Sequence, residues 1–102
     1  MFIFGKRKKQ AIWYVKQAYF QLAVFYTEGL INEGDEDVGC LDIVQLQAFG
    51  HQQTSLELAI KELTGEEPKW DTLIEALTHA LKQENRLTAC EELHLEFVGR
   101  RP

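Results

Sequence analysis

The stretch KKQAIWYVKQAYFQLAVFYTEGL, Lys8 to Leu30, decides how this chain folds. It holds no proline, and its apolar residues recur at spacings of three and four, the period of an α-helix. At 100° per residue, Gln10, Gln17, Gln21 and Glu28 fall within about 20° of one line. Lys16 and Thr27 form a second, smaller polar patch. Almost every other direction is apolar. A surface helix carries one apolar stripe, whereas a helix apolar nearly all round is buried. The reading predicts a central helix in a bundle, or one shared with a partner. The glutamine line has two readings. It is the solvent edge of the helix, which is preferred, or a polar seam that fixes register between two copies.

Outward from this helix, the aromatics and charges divide unevenly. Eight of the eleven aromatic residues lie in the first 26 positions, with five cations (Lys6, Arg7, Lys8, Lys9, Lys16) and no acid. From Glu28 onward there are 16 acids against 6 bases. The formal net charge of −5 is a head of +5 on a body of −10. Such a division points to an element built for contact.

The remaining segments also read as helices. Gly29 and Gly34 frame a break after the first helix, and Asn32 to Asp37 is a polar turn with four acids. Asp37 is placed to cap a helix from Val38 to Phe49, ended by Gly50 and the polar run His51-Gln52-Gln53. Thr54 and Glu57 have the spacing of a capping box, in which each side chain satisfies a free backbone N–H. The helix they open carries Leu56, Ala59, Ile60 and Leu63 on one face and stops at Gly65. Pro68 fits the first turn of the next helix. There Trp70, Leu73, Ile74, Leu77, Ala80 and Leu81 give the cleanest amphipathic pattern in the chain. Near the C-terminus, Thr88 and Glu91 again have capping-box spacing. Glu92 to Phe97 alternates strictly, which is strand-like, and Phe2-Ile3-Phe4 offers a partner strand. A lone two-stranded ribbon is marginal, so a helix is preferred. The expectation is one all-α domain over residues 1–102, bundle-like, of four to five helices. Residues 1–7 are read as a flexible basic and aromatic arm.

The chemistry of known sites is poorly represented. The candidates for a metal are Cys40, His51, His79, Cys90 and His94, and only Cys90 and His94 have a spacing that shares a helix face; four ligands are needed, so no metal is expected. An EF-hand loop begun at Asp35 would need Gly at its sixth position and Glu at its twelfth, but Cys40 and Leu46 stand there. A reactive thiolate needs an electropositive setting, and Glu91 and Glu92 adjoin Cys90. Ser55 is the sole serine and is explained by helix capping. With no phosphate-cradling glycine loop or dinucleotide fingerprint, no enzyme and no cofactor are expected. Ser55-Leu56 opening an acidic helix, shortly after Phe49-Gly50, resembles the attachment site of carrier proteins, which would imply a phosphopantetheine arm on Ser55. The chain departs from that family at Thr54, where the family has Asp or His.

Nucleic acid is not an expected partner, because the acidic body repels phosphates and the run Lys6-Arg7-Lys8-Lys9 is short. A membrane surface fits the head better: Phe2 and Phe4 to insert, Lys6, Arg7, Lys8 and Lys9 for anionic headgroups. Two cysteines 50 residues apart read as reduced thiols, and no transmembrane span or signal peptide is evident, so a cytoplasmic location is expected. The leading expectation is a non-enzymatic interaction protein of inhibitor, immunity or adaptor type. It would bind a protein partner, a second copy first of all, through Trp13, Tyr14, Tyr19, Phe20 and Phe25. Any groove is expected beside the first helix, lined by Trp13, Tyr14 and Phe20.

Overall fold

The computed structural model describes the backbone of residues 2–31 and 43–102, and the side chains of residues 5–31 and 47–102. Four helices and no strand occur among the described residues: α1 (Phe2–Ile31), α2 (Ile43–Thr64), α3 (Trp70–Leu81) and α4 (Arg86–Phe97). The chain is an all-α small domain. The acidic turn with its calcium reading, the Asp37 cap and Cys40 lie outside the described residues.

The 30 residues of α1 reach about 45 Å at 1.5 Å per residue, and α2, α3 and α4 all pack on this helix. It begins at Phe2, so residues 2–7 form its first turns, and Phe2-Ile3-Phe4 is helical rather than a partner strand. The core is Tyr19, Phe20 and Ala23 of α1, Ile60 of α2, Leu73, Leu77 and Ala80 of α3, and Val98 after α4. Thr27, placed by the sequence in a smaller polar patch with Lys16, is fully buried. Its hydroxyl donates to the Ala23 carbonyl one turn back at 2.7 Å, so no polar atom is stranded.

The expected break at Gly50–Gln53 does not occur; α2 runs through it as one helix of 22 residues. Phe49, Gln53, Leu56, Ile60 and Leu63 fall on one stripe of that helix, and the stripe continues across Gly50. Glycine inside a helix costs only about 1 kcal/mol against alanine, which packing along a continuous face offsets. Thr54 and Glu57 are therefore interior residues and cap nothing. Glu57 instead accepts a hydrogen bond from Tyr19.

Gly65 ends α2 with φ +78°, a left-handed conformation that glycine adopts without a Cβ penalty. Pro68 stands two residues before α3, which follows the predicted Trp70–Leu81 span and buries Leu73, Leu77 and Ala80. Residues 92–97 are helical, with Asn85 and not Thr88 at the N-cap. In helical form Cys90, Leu93 and Phe97 pack on the core, while Leu95 points outward at 52 % exposure. The alternation came from that outward leucine. A Gly99 turn at φ +85° closes the helix.

Aromatic side chains tie the helices together. The Trp70 ring lies 5.3 Å from Tyr19, 5.6 Å from Tyr26 and 6.0 Å from Phe49, so one indole joins α1, α2 and α3. Phe97 of α4 stacks near Tyr19 and Phe20 at 5.8 and 6.3 Å. Offset and edge-on pairs at these separations add to simple area burial.

Candidate interaction face

The aromatics of α1 divide by direction. Tyr19 and Phe20 are core residues, at 0 % and 5 % exposure. They contact the chain's own helices, which corrects their assignment as partner contacts. Phe25 and Tyr14 face outward, at 68 % and 51 %. Trp13 is half-buried; its indole N–H donates to the Gly99 carbonyl at 3.0 Å, and its ring is edge-on to Tyr14.

The C-terminal tail completes that corner. The Arg101 guanidinium lies 5.8 Å from the Trp13 ring centre and 5.5 Å from that of Tyr14, within cation–π range. It also donates to the Tyr14 hydroxyl at 2.6 Å. Sequence reasoning missed this contact, because residues 13–14 and 99–101 carry no local signal of one another.

The glutamine line is likewise split. Gln21 and Glu28 are exposed, but Gln17 is half-buried and its side-chain oxygen bonds the His94 ring. The His94 ring is also edge-on to Phe20 and Trp13, at 5.2 and 6.3 Å. Gln21 and Glu28 are thus open on the surface of the single chain, whereas Gln17 is turned toward α4. Lys16 is half-buried too.

A groove does run beside α1, but on a different side from the one expected. Ala18, Gln21, Leu22 and Phe25 form one wall, and His51, Gln52, Ser55 and Leu56 of α2 the other; it encloses about 710 Å³. It is an open trough with apolar walls and a few polar groups. Trp13 and Phe20 take no part in it, being committed to the α4 side.

The candidate chemistries find little geometry. Ser55 lies in the interior of α2, so the helix-start placement behind the carrier-protein resemblance is missing. Burial, and after it the negative charge of Glu28, pushes the Cys90 thiol up, away from the thiolate a nucleophile needs. Burial also raises the Tyr19 phenol well above its ordinary range, with its hydrogen bond to Glu57 at 2.7 Å and the charges of Glu57 and Asp71 adding to the shift. That group holds α1 to α2 as a neutral donor. Among the described residues no three His, Cys, Asp or Glu side chains converge for a metal. Among the same residues no helix is long and apolar enough to cross a membrane. Comparison with protein-family models, with curated proteins and with solved structures finds no match to this chain.

Proposed function

We propose that this is a non-enzymatic interaction protein of the cytoplasm that associates through the outward face of α1, with a second copy as its partner. The observation that carries this reading is Phe25. A phenylalanine at 68 % exposure, on the wall of an apolar trough, leaves hydrocarbon in water that pairing would cover. Two-fold pairing is the commonest way to cover such a face. An inhibitor, immunity or adaptor role agrees with an acidic body left facing outward.

The test is Phe25→Glu, with solution mass measured by light scattering. The wild-type chain is expected at twice its 11.8 kDa. The variant is expected as a monomer with unchanged helicity, its association weakened at least roughly thirtyfold, as for a central aromatic anchor. A monomeric wild-type chain, or a variant that still pairs, would overturn the reading. Because Phe25 lies outside the core, loss of folding does not confuse the result.

A second reading, attachment to an anionic membrane surface, has its own supporting observation. Lys6, Arg7, Lys8 and Lys9 are all exposed at the N-terminal end of α1, and each cation near an anionic surface contributes about 1 kcal/mol. Co-sedimentation with vesicles rich in anionic lipid should therefore vanish when all four become glutamine. Binding that ignores either the lipid charge or these substitutions rules this reading out.

A further inference from the structure

The exposed positions of α1 follow a rule that its sequence conceals. From Arg7 to Glu28, one stripe of exposed residues runs Arg7, Ala11, Tyr14, Ala18, Gln21, Phe25, Glu28. The steps are four, three, four, three, four, three. That is the heptad spacing by which one helix meets another in left-handed pairing. The other apolar residues of α1 mask the pattern in the sequence, because Tyr19, Phe20 and Ala23 are spent on the chain's own core. Only removal of the buried set leaves the seam visible.

The seam has polarity. Its N-terminal end carries Arg7, flanked by exposed Lys6, Lys8 and Lys9, and its C-terminal end carries Glu28. Two copies side by side in parallel would set cations against cations and Glu28 against Glu28. Two copies in antiparallel would set the cationic end of each against Glu28 of the other, and would also oppose the two helix dipoles favourably. Size is complementary in the same sense. Ala18 lies near the midpoint of the seam, where two helices must come closest, with the bulkier Tyr14 and Phe25 to either side. At the shallow crossing of about 20° typical of bundles, the ends of such a seam stay within side-chain reach.

We propose that two copies of this chain pair antiparallel along this α1 seam, with Ala18 near the two-fold axis and Arg7 of each copy within about one helical turn of Glu28 of the other. This rests on the self-association proposed above and adds its occupant geometry and register. Charge complementarity selects a second copy reversed in direction over other occupants of the same face.

The test is the dissociation constant of the full chain by sedimentation at low salt, for four forms. Glu28→Arg turns two attractions into two repulsions and is expected to weaken pairing roughly tenfold, a modest change because both pairs are exposed to solvent. The double variant Arg7→Glu with Glu28→Arg exchanges the charges and is expected to recover most of that loss. Glu28→Gln removes an attraction in the antiparallel arrangement and is expected to weaken pairing slightly; in a parallel arrangement it removes a repulsion and tightens it. A cation at position 28 suits the C-terminal end of α1, so weaker pairing by Glu28→Arg is not a folding defect. A dimer that Phe25→Glu dissolves, but that Glu28→Arg leaves unchanged or Glu28→Gln tightens, overturns the antiparallel register alone. A wild-type monomer overturns this proposal and the self-association on which it rests.

Discussion

Replacing Phe20 with glutamate is expected to unfold most of the protein, whereas the same replacement at Phe25, five residues later, should leave the fold intact. Phe20 is 5 % exposed, packed against Phe97 and edge-on to His94. Removing the ring from such a site costs about 3–5 kcal/mol. Burying an ionised carboxylate there adds a further penalty unless a partner satisfies it, and His94 is already engaged by Gln17. A domain of this size has roughly 5–15 kcal/mol in total, so the two losses together remove a large share of it. Circular dichroism with urea titration provides the comparison. Helical signal lost by Phe20→Glu and retained by Phe25→Glu is the expected outcome. If both variants keep wild-type midpoints, Phe20 does not face the core and the packing of α4 on α1 is wrong.

Tyr19 carries the second large effect. The side chain is fully buried, lies against Trp70 and Phe97 and donates to Glu57 at 2.7 Å. Tyr19→Ala is expected to cost about 3–5 kcal/mol through lost contacts and the cavity left behind. Tyr19→Phe keeps the ring and loses the hydroxyl, so it should cost only about 1 kcal/mol, as Glu57 is half-exposed and water can replace the donor. The ratio of the two losses separates packing from hydrogen bonding.

The same residue sets an alkaline limit. Its folded pKa lies above the unfolded value of about 10, first because it is buried and next because its neutral hydroxyl donates a hydrogen bond to Glu57. Above that pH the unfolded chain releases the phenolic proton and the folded one keeps it. The unfolded state then binds fewer protons, so stability is complete below about pH 10 and falls by up to about 1.4 kcal/mol per pH unit above it. Tyr19→Phe should remove this slope while leaving the neutral-pH helicity in place. An unchanged alkaline slope in that variant would assign the loss to other groups.

Much of the architecture was legible because it depends on local rules. The three-and-four spacing of Trp70, Leu73, Leu77 and Ala80 can be satisfied only by a helix with one buried face, and α3 is that helix. Gly65 stops α2 because a residue with a Cβ is strained in the left-handed conformation found there. Capping-box spacings misled twice. Thr54/Glu57 and Thr88/Glu91 match the pattern, but both pairs lie inside helices whose ends are set by where the apolar stripe meets α1. Gly50 misled for the same reason: a local preference near 1 kcal/mol yields to a continuous packed face.

The all-helical class, the central place of α1, and the concentration of aromatic and cationic residues in it can be read without any tertiary contact. Those properties follow from periodicity and composition, which are local and additive. Which aromatics point inward was decided by tertiary structure. Tyr19, Phe20 and Phe25 are equivalent in hydrophobicity patterning, and only the positions of α2, α3 and α4 around the helix distinguish core from open seam. Likewise Gln17 finds His94, Glu57 finds Tyr19 and Arg101 finds Trp13 and Tyr14 across 38 to 88 residues of chain. No local spacing encodes such pairs, because their energy exists only once the helices have been brought together.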